Sequence, residues 1–387
     1  YVQTLPAAMG PEGTVAVPAA GIVVTASEED ARDDKFRGAL NVYELGTGGA
    51  PSFPTLVSQL PADGSAPIPF AALSSLTAEA GDLVLAVEDS AYGKSRVFEI
   101  DVGVAPAVVV GGARILDSKD VLRSWSHFTN FTTTVDGAVA DGEFDAADLA
   151  ALVNDDKTVN IDPEGVAVGI LGGAVKYVVA HEGYGTVGDA GRPVRSLNFL
   201  FVLGLSGPDY VIDEVIALPD AQNARQLRFG FEGVAVLDNK IVVAFQRAWG
   251  ADEFPQMGVY DYAVGGDAGW SFVFYPVDEP SSQYGGWVGV GDIEAAPVQT
   301  GGAVGDIYVL DRDNQGGMDA AVKRVYKANV FHYDADRVLY KHLVADLLVP
   351  IAATAGYVPE KVEGIAVLAD GRRFFNSDND GVDDHSG

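Results

Sequence analysis

No cysteine occurs among the 387 residues, so neither disulfides nor cysteine-ligated zinc hold this chain together. Basic residues are few: 25 Lys and Arg stand against 55 Asp and Glu, a formal net charge of −30. Such a surface repels phosphate backbones, which argues against DNA or RNA as partners, and it attracts cations. Long hydrophobic runs are missing too. Nothing approaches the ~18 apolar residues of a membrane-spanning helix, so no span is expected. Only five histidines occur, and no H-E-x-x-H, which removes a zinc-peptidase reading. There is no G-x-S-x-G elbow, and Gly204-Leu205-Ser206-Gly207 lacks its spacing. No P-loop or G-x-G-x-x-G stands between a strand and a helix, so nucleotide cofactors are not indicated. The chain opens at Tyr1 without Met or a charged leader, which reads as a mature secreted protein, extracellular or periplasmic.

What is present points to β structure. The hydrophobic fraction is 48%, with 46 Gly and 19 Pro, as short strands joined by turns require. A Glu-Gly pair followed by small and β-branched residues recurs at Glu12-Gly13, Glu164-Gly165, Glu232-Gly233 and Glu363-Gly364. Looser copies are Asp292-Ile293-Glu294 and Leu73-Ser74-Ser75, giving successive gaps of 62, 90, 68, 62 and 69 residues. A second polar position follows each first by 14 to 18 residues: Glu28, Asp89, Glu182, Gln246, Asp311 and Asp378. Two registers recurring together mark an internal repeat of roughly 65 residues.

Each unit reads as four strands, and four-stranded antiparallel sheets repeated radially make a β-propeller. Six blades in a single all-β domain spanning 1–387 are expected. The long gap places a loop and helix insertion at about 117–160 in the second blade, with a helix over Ala146–Asn154 and Asp145 as its N-cap. The last blade stops short: either Tyr1–Pro11 supplies one of its missing strands and closes the ring, or, as is favoured, the natural polypeptide continues past Gly387.

In this architecture the first strand of each blade lines the axis, where Gly permits close backbone approach. Glu164, Glu232, Glu294 and Glu363 then converge, with Glu182, Asp311 and Asp378 beside them. Crowded carboxylates repel, and a hard divalent cation relieves them, so Ca2+ is the expected ligand. Asn376, Asp378, Asp380, Gly381 and Asp384 also carry the opening spacing of an EF-hand-like loop.

Several segments resemble the phytase-like propeller family, described as having esterase-like activity of phytase. They are Asp162-Pro163-Glu164-Gly165-Val166-Ala167, Ala180-His181-Glu182, Phe231-Glu232-Gly233-Val234-Ala235, Val309-Leu310-Asp311-Arg312-Asp313, Val362-Glu363-Gly364-Ile365-Ala366 and Ser377-Asp378-Asn379-Asp380-Gly381. The resemblance runs from about Ile68 to the end. It implies a secreted, calcium-dependent phosphoester hydrolase acting on a phosphorylated small molecule or polymer at a carboxylate-ringed channel mouth. On that reading Arg96, Arg195 and Arg324 clamp substrate phosphate, Arg247 and Arg312 lie at the catalytic mouth, and His181 serves as acid or base. Two other readings remain open: a non-catalytic calcium-stabilised propeller used as an extracellular binding or surface module, and a calcium-propeller hydrolase of another kind, such as a lactonase.

Overall fold

Short β-branched runs broken by Gly, Pro and Asp fold here into a series of antiparallel sheets. The computed structural model describes residues 5–30, 38–44, 46, 56–60, 66–89, 93–125, 134–135, 138–139 and 144–378. The first sheet is β1 (Pro11–Val17), β2 (Ile22–Ser27) and β3 (Ala39–Glu44). A short β4 (Leu56–Ser58) precedes the second unit, β5 (Leu73–Ala78), β6 (Leu83–Glu88), β7 (Arg96–Asp101) and β8 (Ala107–Leu116). After β9 (Thr134–Val135) and β10 (Ala138–Val139) comes helix α1 (Ala146–Ala151). The third unit is β11 (Pro163–Leu171), β12 (Ala174–His181), β13 (Phe199–Ser206) and β14 (Asp209–Ala217). The fourth is β15 (Phe231–Leu237), β16 (Lys240–Phe245), β17 (Gln256–Asp261) and β18 (Trp270–Phe274). The fifth is β19 (Val288–Ala295), β20 (Asp306–Asp313), β21 (Lys323–Tyr333) and β22 (Leu339–Asp346), and the last is β23 (Val362–Val367) with β24 (Arg373–Ser377).

The chain is all-β, and each unit is an up-and-down antiparallel sheet in sequence order. The outermost strands of the second and third units, β8 and β14, also pair in parallel at Tyr210↔Ile115 and Val211↔Leu116. Helix α1 carries the anticipated cap: the Asp145 carboxylate accepts from the Ala147 and Asp148 amides, and the Asp148 side chain accepts from the Asp145 amide.

The first strands of five units meet in a ring. β5 lies against β11, β11 against β15, β15 against β19, β19 against β23, and β23 against β5. A hydrophobic cluster fills each junction. Phe199 and Val166 pack with Leu85 and Val97 between the second and third units. Around the ring follow clusters at Phe231 and Leu200, at Val242 and Ile293, and at Leu310 and Ile365. The last joins Ala366 and Leu368 to Leu76 and Phe98, which closes the circle.

The repeat count leads one to expect six members, and the ring has five. β1 is exposed along its length, and its sheet docks from outside, where Asn41 Nδ2 donates to the Gly356 carbonyl at 2.8 Å. The reason is steric. A Cβ on Gly364 of β23 would stand 2.8 Å from Leu76 Cγ of β5, so no gap remains for a further strand.

The Glu-Gly repeat marks one structural device, a β-bulge at the start of each ring strand. The pairing register slips between Leu73/Ser75, Pro163/Gly165, Phe231/Val234, Val290/Asp292 and Val362/Gly364. Every bulge except the one at Gly291, which has no side chain, turns a side chain out of the ladder and toward the axis. The glycine behind it is required by close approach. A Cβ on Gly165 would meet Glu232 O at 2.8 Å, and one on Gly233 would meet Asp292 Oδ1 at 2.6 Å. Both neighbours are fixed in the next ring strand. Gly233→Ala is therefore expected to cost about 3 kcal/mol, the upper part of the overpacking range, read as a lower urea midpoint at unchanged m-value.

Candidate active site

Each bulge has a counterpart at the second strand, one residue beyond the partner of the position just before the bulge. The pairs are Ser74 with Asp89, Glu164 with Glu182, Glu232 with Gln246, Gly291 with Arg312, and Glu363 with Asp378. One further backbone bond locks the second member in place: Asp89 N to Ala72 O at 2.8 Å, Glu182 N to Asp162 O at 2.9 Å, Gln246 N to Gly230 O at 2.9 Å, and Asp378 N to Lys361 O at 3.0 Å. All of these ends lie at the mouth where the ring strands begin.

Three carboxylates from two units form the tightest group. Single oxygens of Asp89, Asp162 and Glu164 all lie within 4.8 Å of one another. Asp162 Oδ1 is buried and has no hydrogen-bond partner. Burial, then Asp89, pushes the Asp162 carboxyl well above the usual range. Glu164 is pushed well up by burial and then by Glu232 and Asp162. Burial also raises Glu182, although the Gly230 amide, which donates to it at 2.8 Å, and nearby Arg192 pull the other way.

A second group sits across the mouth. Glu232 and Glu363 are both buried and share the Arg312 guanidinium, which is hydrogen-bonded to Glu363 and 3.7 Å from Glu232. Glu363 is lifted to about 7 by burial, with Arg312 opposing and Asp378 adding to the rise. Burial and Glu363 raise Glu232 well above its ordinary value against Arg312. Gln246 Nε2 donates to Glu232 at 2.6 Å, and Lys361 reaches Asp378 at 3.2 Å.

Two of the expected ring acids lie elsewhere. Glu294 stands three residues beyond the bulge at Gly291, deeper along the axis, where it accepts from Thr77 Oγ1 at 2.9 Å and Ala78 N at 3.0 Å; burial lifts it to about 8. Asp311 falls one residue short of Arg312 and faces away, bonded to Lys341 at 2.7 Å and to the Tyr275 hydroxyl at 2.8 Å; burial lifts it to about 6. Asp380 lies outside the described residues, and Asn376, on β24, donates to the Leu73 carbonyl.

His181 is buried between Phe199 and Phe201, and its Nδ1 accepts from the Asp162 amide at 2.9 Å. Burial depresses it to about 4, so it is neutral at neutral pH. It bonds the backbone of Asp162 and is placed to position that residue.

The three arginines assigned to phosphate are each bonded to an acid. Arg96 pairs with Glu88 at 2.6 Å, Arg195 with Asp148 at 3.4 Å, and Arg324 with Asp278 at 2.6 Å. A different set borders the carboxylates. Arg247 stacks between Phe229 and Trp287, at 4.6 and 4.8 Å from the ring centres. Arg228 covers Phe229 at 4.2 Å, Arg192 covers Tyr184 at 4.8 Å, and Arg312 lies 5.3 Å from Trp287. Among the described residues none of Arg192, Arg228 and Arg247 forms an ion pair with a carboxylate. Burial and mutual repulsion lower Arg228 and Arg247. The loop carrying them is strained. Phe229 has φ +69°, rare for an aromatic residue, and is held by Trp249 Nε1 donating to its carbonyl at 3.2 Å.

Sequence spacing thus finds Glu164, Glu182, Glu232, Glu363, Asp378, Arg247 and Arg312 at the mouth. It misses Asp162, one residue before Pro163, as a ligand candidate, and Arg192 and Arg228, which lie on loops with no repeat signal. Arg192 and Arg228 lie close enough to Glu182 to act on its carboxyl, although among the described residues neither forms an ion pair.

No helix among the described residues is long and apolar enough to cross a membrane. No curated protein matches this chain. The model of the phytase-like family, esterase-like activity of phytase, matches residues 68–381, from just before the second unit to just past the last ring acid. With five bulged strands and the mouth acids inside that match, this chain belongs to the phytase-like family.

Proposed function

We propose that this protein is a secreted, calcium-dependent phosphoester hydrolase working at the mouth of a β-propeller axis. The propeller reading rests on the closed ring of first strands with apolar clusters at all five junctions. The N-terminal sheet stands beside that ring as a peripheral unit. One observation carries the functional reading: a carboxylate trio with an orphaned buried oxygen lies beside Glu182, whose carboxyl feels Arg192 and Arg228, arginines that form no ion pair among the described residues.

The trio fits Ca2+. Ligand oxygens at 2.3–2.6 Å from one calcium are at most about 5 Å apart, and hard carboxylate oxygens are its preferred donors. Asp89, Asp162 and Glu164 meet that limit, with Asp162 Oδ1 still lacking a partner. Calcium held there supplies Lewis-acid polarisation of a phosphoryl oxygen. The chain's own residues do the rest. Arg192, Arg228 and Arg247 bind and orient the anionic ester. Stacking holds the Arg247 guanidinium plane and leaves its N–H edge for phosphate oxygens. His181 keeps Asp162 in place, and Glu182 fixes the Gly230 turn that carries Phe229.

The test is release of phosphate from an aryl phosphate, with calcium and with excess chelator. Turnover that disappears with chelator and returns with calcium is expected. No turnover on phosphomonoesters or diesters, together with a melting temperature that chelator lowers, favours the non-catalytic binding module. Lactone opening without phosphate release favours the other hydrolase. Arg247→Ala and Arg228→Ala are each expected to raise KM about ten-fold with a smaller change in kcat, because they remove a charged contact made to substrate and transition state alike.

A further inference from the structure

The fifth unit breaks the ring's pattern twice, and the two departures fit each other. Where the third, fourth and last units carry a bulge glutamate, this one has Gly291. Where the other four carry Asp89, Glu182, Gln246 or Asp378, it has Arg312. A Cβ at residue 291 would meet the Val362 carbonyl oxygen of β23 at 2.9 Å, so the close approach of β23 requires the glycine, and Arg312 packs beside it with Cγ 3.4 Å from that position. The guanidinium is almost wholly buried, 3% exposed, and reaches the carboxylates of the units on either side, Glu232 of the fourth and Glu363 of the last. Lys361 neutralises Asp378 next to it. Across the mouth, Asp162 and Glu164 form no ion pair among the described residues.

We infer that Arg312 is a resident cation of the ring: it occupies the place of a metal ion between Glu232 and Glu363, and it restricts the mouth to one exchangeable divalent ion on the Asp89–Asp162–Glu164 side. This rests on the calcium reading given above. It adds that the mouth has two unequal halves, one neutralised by the chain itself and one by an ion. A buried pair of carboxylates needs a cation in either case, since an uncompensated buried charge is strongly destabilising. The arginine also gives a fixed charge that chelators do not remove, so half of the mouth keeps its shape without metal.

The test counts bound Ca2+ by native mass spectrometry, relative to the unsubstituted chain, with circular dichroism to verify folding. Arg312→Gln is expected to gain one ion, taken up between Glu232 and Glu363. Arg312→Lys keeps the charge and is expected to leave the count unchanged. Asp89→Asn/Asp162→Asn is expected to lose one ion and to retain none at the mouth. An unchanged count in Arg312→Gln overturns the inference, and so does an unchanged count in the double variant. If Arg312→Gln does not fold, the double variant decides. Loss of one ion there, with Arg312→Lys unchanged, supports the inference, and retention overturns it. Ion counts that follow this pattern in a protein without phosphatase activity sink the hydrolase reading and leave the resident cation standing.

Discussion

Asp162→Asn is expected to lower calcium-dependent kcat/KM by about 100-fold or more, with the folded state retained. The effect is large because Asp162 has two jobs. Its side chain offers the one buried oxygen in the trio without a hydrogen-bond partner, and its backbone is clasped on both sides, by His181 Nδ1 at its amide and by the Glu182 amide at its carbonyl. An asparagine keeps the shape and the backbone bonds. It removes a negative charge and turns an amide group toward Asp89 and Glu164, which weakens hold on a cation far more than it disturbs packing. The same carboxyls set the pH response. Burial and neighbouring carboxylates raise Asp162 and Glu164 well above their usual range, so protons compete with calcium for them at higher pH than they would for free carboxylates. Apparent calcium affinity should fall as pH drops from 8 to 6 and recover as it rises. A calcium titration of the initial rate at both pH values reads this. Asp162→Asn with a normal rate and a normal calcium half-saturation would remove the trio from the mechanism.

How far this was legible beforehand depends on what the repeat records. It records the bulge, because a bulge needs a glycine where the next strand approaches, and a side chain just before it faces the axis. Glu164, Glu232 and Glu363 follow from that alone. In the fifth unit the sequence Gly291-Asp292-Ile293-Glu294-Ala295 offers an acid three residues late, and only the pairing of Val290 with Asp311 shows that Gly291 holds the bulge. The second register slips with it, from Arg312 to Asp311. Strand pairing is a long-range property, and one residue of slip sends a side chain to the other face. The ring's membership was hidden for a related reason. β1 carries a slip at Pro11/Gly13 like the others, yet whether a sixth strand fits depends on how closely β23 and β5 approach, which no local pattern encodes. The arginines proposed to bind the anion were hidden most deeply. Their distinction is their place near the mouth acids, which depends on long-range packing, and Arg96, Arg195 and Arg324 look no different in sequence from Arg192 and Arg228.

Asp292→Ala is expected to remove most of the protein's stability, enough to leave little folded chain at 37 °C. Asp292 is fully buried on the axis, and its carboxylate accepts from Ser75 Oγ at 3.1 Å, Leu76 N at 3.3 Å, Ile365 N at 3.0 Å and Ile293 N at 2.8 Å. Those donors belong to β5, β23 and β19, so one side chain ties together the strands on either side of the junction that closes the ring. Ser75 Oγ extends the tie by accepting from Val166 N of β11 at 3.2 Å. Alanine leaves four buried donors without that acceptor. Each orphaned group costs about 1–3 kcal/mol, so the sum is about 4 kcal/mol or more against a typical total of 5–15 kcal/mol. Asp292→Asn retains one acceptor oxygen and is expected to fall between the two. Urea unfolding with excess chelator measures the difference free of any metal contribution. A midpoint within experimental error of the unsubstituted chain would mean that apolar packing alone closes the ring. Added calcium should not rescue Asp292→Ala, since Asp292 lies below the mouth and outside the trio. Asp162→Asn and Asp292→Ala therefore separate two uses of carboxylates on one axis: at the rim Asp162 keeps a buried oxygen without a hydrogen-bond partner and suited to a cation, and in the interior Asp292 is saturated mainly by backbone amides and holds the strands in a circle.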